Sequence, residues 1–233
     1  MNMAEEDFSK RILVGITGYK NNHWEDKIKE INEFKINRVS LFLERFERTQ
    51  REKIYSALLN SKIKEIPLVH IKNDMEREEL TFLFKRFGSS YFTIHESSFK
   101  FIENWKGFYK NLYLEMNMDS CISQLVEVEK IGGFCIDLSH FKAGITKWSK
   151  EFAYIFERRE TSHYFDCNHL NGYCSETNDD LHFVKSLKDF DYLKTLPKFI
   201  FGDIIALETD NSIAQQLKFK NYLSEMLNKL FLK

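Results

Sequence analysis

The chain has 233 residues, 34 Lys and Arg against 35 Asp and Glu, a formal net charge of −1 and 43% hydrophobic residues. That balance argues against a polybasic nucleic-acid protein. The 22 Phe and 10 Tyr exclude a disordered chain, and only 2 Pro and 9 Gly exclude collagen-like and linker-rich classes. No run approaches the roughly 18 apolar residues that span a bilayer. The acidic start, Met1 to Asp7, has no apolar signal region behind it. Cys121, Cys135, Cys167 and Cys174 show no CxxC spacing and read as reduced thiols of a cytoplasmic protein with no membrane partner.

In chain order, short apolar, β-rich runs alternate with longer amphipathic segments. A first strand over Ile12–Tyr19 precedes a helix over Glu25–Phe34, where Ile28, Ile31 and Phe34 fall at helical spacing. The second strand, Arg38–Leu43, precedes a helix over Arg48–Leu59. The third, Ile66–His70, precedes Arg77–Phe87, with Leu80, Leu83, Phe84 and Phe87 on one face. Strand four, Tyr91–His95, leads to a helix over Ser97–Phe108. Strand five, Leu112–Glu115, leads to one over Ser120–Ile131, with Asp119-Ser120 as N-cap. Strand six, Gly133–His140, is followed by a helix over Ile145–Arg158, and strand seven, Tyr164–Leu170, by Phe183–Leu193. Strand eight, Phe199–Glu208, leads to a closing amphipathic helix over Ser212–Leu230, capped at Asn211-Ser212 and compatible with a dimer contact.

Eight strand–helix units of about 29 residues each predict an α/β fold, a (β/α)8 TIM barrel with a parallel eight-stranded sheet. No linker interrupts the pattern, so residues 1–233 read as a single domain. No Gly-rich phosphate loop follows any strand, which argues against a nucleotide site of the usual kind.

Catalytic groups in such a barrel come from the C-terminal strand ends. Here those ends carry His70, His95, Glu115, Asp137 with His140, His169 and Glu208, and the loop after strand seven adds Asp180 and His182. Five of the 7 histidines stand at these positions; His23 and His163 fall elsewhere. Carboxylates and imidazoles converging on one rim repel or lose hydration unless a cation sits among them, and a divalent metal takes these ligand types. Glu44, at the end of strand two, reads either as a rim group or as a salt-bridged structural residue. Lys72 reads either as a contact for a substrate phosphate or carboxylate or as an exposed loop lysine. Trp24, Trp105 and Trp148 are expected to pack against the barrel. Cys135 and Cys167 share strand parity with Asp137 and His169 and are expected to point inward. Arg45, Arg48 and Arg51 read as a solvated helix face, with a basic strand-side patch as the alternative.

The segment Cys135-Ile-Asp-Leu-Ser-His140 resembles the C-x-D-T-x-H signature of the xylose-isomerase-like barrel superfamily. Leu114-Glu-Met-Asn117, His169-Leu-Asn-Gly172, Asp180-Leu-His182 and Ala206-Leu-Glu-Thr209 resemble its other rim motifs, in the same order along the whole chain. In the isomerase and epimerase branch, the resemblance implies one divalent ion (Mn, Zn, Co or Mg) on Glu115, Asp137, His169 and Glu208. There Glu115 and Glu208 also act as acid and base, and His140 touches a sugar or polyol substrate. In the AP-endonuclease branch, the resemblance adds His70, His95, His140, Asp180 and His182 and implies three zinc ions. The branches differ beyond the ligands. The endonucleases carry a DNA-distorting Tyr where Asn73 stands, and longer rim loops than those expected here. The expectation is therefore a metal-dependent isomerase or epimerase holding one ion, with a multi-zinc phosphodiesterase or a non-catalytic metal barrel as alternatives. Nucleic acid is not an expected partner.

Overall fold

The computed structural model describes residues 7–18, 23–161 and 164–232. Tyr19, the expected end of strand one, and His163 lie outside them. The main sheet is parallel and runs in the order Ile12–Leu13, Ile204–Leu207, Cys167–Leu170, Gly133–Asp137, Leu112–Glu115, Tyr91–His95, Leu68–His70, Ser40–Phe42, Gly15–Ile16. The two outermost segments are one stretch of chain broken only at Val14. Its first half pairs Ile12 and Leu13 with Ile205 and Ala206; its second half pairs Gly15 and Ile16 with Ser40 and Leu41. The first strand thus joins the last to the second, and the sheet closes as a (β/α)8 TIM barrel. At this seam a Cβ on Gly15 would lie 2.0 Å from the Leu207 carbonyl oxygen, so only glycine lets the backbones approach.

Two apolar layers follow from strand periodicity. Leu13, Phe42, Leu68, Tyr113, Cys135, Cys167, Ile204 and Ala206 fill the barrel interior. Both cysteines therefore point inward, as their parity requires. The opposite strand faces, including Ile12, Val69, Phe92, Leu114, Phe134 and Ile205, pack against the surrounding helices. Those helices are α1 (Phe8–Arg11), α2 (Trp24–Glu33), α3 (Arg48–Leu59), α4 (Arg77–Phe87), α5 (Leu138–Lys147), α6 (Lys150–Glu157) and α7 (Ile213–Phe231). The cap expected at Ser212 is present: its hydroxyl accepts from Gln215 N at 3.2 Å, while Gln215 Oε1 accepts from Ser212 N. Among the described residues, no helix is long and apolar enough to cross a membrane.

Several expected helices come out differently. The segment after strand four is a 3₁₀ helix, Glu96–Trp105, and that after strand seven is a 3₁₀ helix, Leu187–Thr195. The expected helix over Ser120–Ile131 is absent; only Val128–Lys130 forms a 3₁₀ turn. Ser120 has φ 58°, a left-handed value that no N-cap takes. Buried Glu96 accepts from Asn117 N at 3.1 Å and from Ser123 N at 2.9 Å, and these long-range bonds hold the stretch as an irregular loop. The rim loop after strand five is therefore longer than expected. The helix read over Ile145–Arg158 is two helices, broken at Trp148 with φ 52°. Trp24 and Trp105 are buried, but Trp148 is 73% exposed, so one of the three tryptophans does not pack as expected.

Candidate metal centre

The parallel register sets the ligands level. His95 stands beside Glu115, and Asp137 beside His169, which also pairs with Ala206, two residues before Glu208. His70, Glu115, Asp137, His169 and Glu208 are all buried. Donor atoms lie within 4.8 Å of one another in three overlapping groups: His70, His95 and Glu115; Glu115, Asp137, His169 and Glu208; and His70, His169 and Glu208. His169 Nδ1 is 3.0 Å from Glu115 Oε2 and 3.3 Å from Glu208 Oε2. His70 Nδ1 is 3.7 Å from both Glu115 Oε2 and Glu44 Oε2. The His70 ring lies 4.8 Å from that of His95 and 5.1 Å from that of His169, with Phe42 packed edge-on beneath the latter.

Few of these atoms are satisfied. Both ring nitrogens of His70 and of His169, Nδ1 of His95 and of His140, and one oxygen each of Glu44 and Glu115 are buried without a hydrogen-bond partner among the described residues. The His169–Glu115 approach is short but not aligned as a hydrogen bond. Each such atom costs about 1–3 kcal/mol in lost solvation. A divalent cation would take up those lone pairs, and the donor set of imidazoles and carboxylates fits one. Asp137 is different. Its Oδ1 accepts from Ser139 N and Oγ at 2.8 and 2.7 Å and from His140 N at 2.9 Å, capping α5. Its Oδ2 accepts from Asn171 Nδ2 at 2.8 Å. Ser139 and Asn171 thus orient a candidate ligand without offering donors to the cluster themselves.

Burial and mutual proximity set the charges. Burial pushes His70 well below its ordinary value, so its ring is neutral and free to ligate. Burial alone would raise Glu115, but His169, His95 and His70 outweigh it and hold the carboxyl well below its usual range. Glu208 goes the other way: burial, with Glu115 adding to it against the pull of His169, raises it to about 8. Burial opposes charge on His140, yet Asp137, Glu115 and Asp180 raise it. The hydrogen bond from His182 lowers Asp180 to about 2; burial opposes charge on His182, but Asp180 and Glu208 raise it to about 10.

The structure brings His70, His95, Glu115, Asp137, His169 and Glu208 into one cluster. His140 stands beside it, 3.8 Å from Glu115 Oε1 and 3.9 Å from Asp137 Oδ2. Asp180 and His182 lie at a small hairpin, Gly172–Cys174 with Asp179–Leu181, and pair with each other at 2.9 Å. His182 Nδ1 also reaches the Glu208 carbonyl at 3.2 Å. Glu44 joins the rim through His70 and meets Arg45 at 3.3 Å, so both readings of it hold. Lys72 does not join the cluster; its ammonium pairs with Glu47 and lies 4.0 Å from Asp74. Nor do the arginines form one solvated face. Arg51 is fully buried between Asp74 and Glu79, and Arg48 pairs with Glu52 and Glu76. Sequence reasoning missed Ser139 and Asn171, although a Ser two residues after a strand-end Asp is a familiar capping arrangement.

No protein-family model matches the chain, and no curated protein matches it. Among solved structures it is similar to the HpcH/HpaI aldolase from Desulfitobacterium hafniense DCB-2, with 10% identity and a TM-score of 0.41 over 96% of this chain and 94% of that one. A likeness at that level says nothing of the rim chemistry. It does not extend to the xylose-isomerase-like superfamily, whose resemblance rests on the rim residues alone.

Proposed function

We propose that this chain is a divalent-metal-dependent enzyme of the xylose-isomerase-like type, that its rim holds more than one ion, and that it hydrolyses a phosphoester of a small polyol-like molecule. One observation carries the reading: Glu115 belongs to two donor groups at once, one completed by His70 and His95, the other by Asp137, His169 and Glu208. A single ion on the second group would leave both ring nitrogens of His70 and Nδ1 of His95 buried with no partner among the described residues. A carboxylate shared between two donor groups fits a multinuclear site. Clustered divalent ions, when bound, polarise phosphoryl oxygens and stabilise the attacking and leaving oxygens of a displacement. The protein's own share is to fix the ligands. Asn171 and Ser139 hold Asp137, the Asp180–His182 pair meets the rim at the Glu208 carbonyl, and Phe42 packs against the His169 ring.

A second reading, the one-ion sugar isomerase or epimerase, is favoured by the opposite titration of Glu115 and Glu208, which supplies a base and an acid around His169. Elemental analysis with an anomalous X-ray map separates the two. Two or three ions per chain, with turnover of a chromogenic phosphodiester lost in Glu115→Gln, is the expected result. One ion per chain, with carbonyl-dependent proton exchange on a sugar panel and no ester hydrolysis, would favour the isomerase. Duplex DNA is not the proposed substrate: Arg48 and Arg51 are spent on Glu52, Glu76, Asp74 and Glu79, which leaves them no part in a phosphate track. Efficient nicking at an abasic site by the wild type, absent from Glu208→Gln, would reverse that.

A further inference from the structure

Strand two brings to the barrel mouth one carboxylate that belongs to none of the three donor groups. Phe42 points into the barrel and stands level with His70. By the strand period of two, Glu44 points the same way one step higher. A hydrogen bond from Leu43 N to the His70 carbonyl, at 2.8 Å, holds the two strand ends together. The Glu44 side chain is 17% exposed, and its two oxygens differ. Oε1 meets Arg45 Nε at 3.3 Å. Oε2 is buried, has no hydrogen-bond partner among the described residues, and faces His70 Nδ1 at 3.7 Å. That nitrogen is equally without a hydrogen-bond partner among them, and it has Glu115 Oε2 at the same 3.7 Å.

We infer that Glu44 is a further metal ligand, giving Oε2 to the ion that His70, His95 and Glu115 would hold. The inference rests on the multinuclear reading of the rim and adds to it a residue from strand two, where none of the nine ligands implied by the resemblance stands. Spacing carries it. At 3.7 Å the Glu44 and His70 atoms are too far apart to hydrogen-bond, which takes about 2.7–3.2 Å. Two donors bonded to one ion at about 2.0–2.2 Å each lie about 3.4 Å apart at a tetrahedral angle, and no more than about 4.4 Å apart at any angle. The observed gap falls between those limits. The number of donors agrees, because His70, His95 and Glu115 make three and a closed zinc shell takes four. A purely structural pair with Arg45 accounts for Oε1 but leaves Oε2 stripped of water without return. Binding would draw Oε2 toward the ion, which an oxygen with no other hydrogen bond among the described residues allows.

The first test is an anomalous X-ray map of the full wild-type chain loaded with zinc. An ion on His70 with Glu44 Oε2 at bonding distance, about 2.0–2.2 Å, is the expected result. In solution, Glu44→Gln and Arg45→Met are compared with wild type by elemental analysis and by competition with a chromophoric chelator. Glu44→Gln should weaken one ion by about a hundredfold or more, since loss of an outer-shell partner alone costs about 10–100-fold, and should leave the rest bound. Cobalt(II) at the weakened site should change its visible absorption, as loss of an oxygen donor requires. Arg45→Met removes the partner of Oε1 and keeps Oε2, so it should retain the wild-type metal count and cobalt spectrum. Three results would overturn the inference while the multinuclear reading stands: an ion on His70 with Glu44 left on Arg45, a Glu44→Gln protein that matches wild type in affinity and spectrum, or an equal loss in Arg45→Met. A single ion on Asp137, His169 and Glu208, with none on His70, would overturn both.

Discussion

Two clusters of charge are taken out of water in this molecule, one between α3 and α4 and one at the barrel mouth. In the first, Arg51 donates through Nε and one terminal nitrogen to both oxygens of Glu79, at 2.9 and 3.0 Å. Its other terminal nitrogen reaches Asp74 and the Phe46 carbonyl, and Tyr55 adds a hydrogen bond to Glu79 at 2.8 Å. Nothing more is needed there. At the mouth, six ring nitrogens and two carboxylate oxygens have no hydrogen-bond partner among the described residues. A fold tolerates a saturated buried pair as structure, whereas an unsaturated cluster lowers stability until something binds it. The contrast marks the mouth as the place where a ligand belongs, and it can be tested by removing or completing each region in turn.

The largest effect is expected in the saturated cluster. Arg51→Met leaves Glu79 half-buried and unpaired and should cost about 3–5 kcal/mol, or roughly 10 °C in Tm. Arg51→Met combined with Glu79→Leu should recover part of the loss, as judged by denaturant titration. A double variant no more stable than the single one would show that the pair is not a self-contained unit.

Lys27 is an intermediate case and sharpens the comparison. Its ammonium is buried but donates to Thr17 Oγ1 at 2.6 Å and to the Thr209 carbonyl at 2.7 Å. Burial lowers it from 10.5 to about 8, against the opposing pull of Asp210 and Glu30. Between those pH values the unfolded chain binds the proton and the folded chain does not, so this group makes stability rise with pH. The wild type should therefore gain on Lys27→Met by up to about 3 kcal/mol from pH 8 to 10.5. Taking the difference between variants cancels the opposing titration of the buried tyrosines. A flat difference would mean that Lys27 is solvated.

Completing the mouth should stabilise it. Zinc or manganese at about a hundredfold excess over Kd should add about 2.7 kcal/mol to a chelated sample. The gain should shrink on acidification as the ligands take up protons. Arg51→Met should show the same increment as wild type, because the two clusters share no residue. Unequal increments would mean that they communicate.

How much of this was legible in the sequence follows from the same physics. Strand ends are set by a period of two and by register, so His70, His95, Glu115, Asp137, His169 and Glu208 could be placed on one rim without coordinates. Their partners could not. Whether Lys72 faces substrate or Glu47, and whether Arg51 faces water or Glu79, depends on neighbouring elements that are distant in sequence. The stretch from Ser120 to Ile131 has the composition of a helix, but Glu96 and Glu151 compete for its N–H groups from elsewhere in the chain. Glu151 itself reads as an ordinary first-turn acid on a surface helix; only its burial against the loop separates it from the others.

The smallest loss is expected where the comparison began, in the metal-free mouth. Burial holds Glu208 protonated up to about pH 8, so glutamine is close to the form the wild type carries at pH 5. In chelated protein at that pH, Glu208→Gln should stay within about 1 kcal/mol of wild type. From the ordinary carboxylate value of 4.5 up to about 8, the folded wild type keeps a proton that the unfolded chain has released. Wild-type stability therefore falls with rising pH through this window while the variant is spared, and the difference should drift in the variant's favour. The metal increment should meanwhile diminish in the variant, since an amide is a weaker ligand than a carboxylate. A rim substitution that relieves the empty site and weakens the filled one has the opposite sign to Arg51→Met. If Glu208→Gln instead destabilised chelated protein by several kcal/mol at both pH values, the mouth would be a saturated structural cluster like the other, and the case for a ligand there would fall.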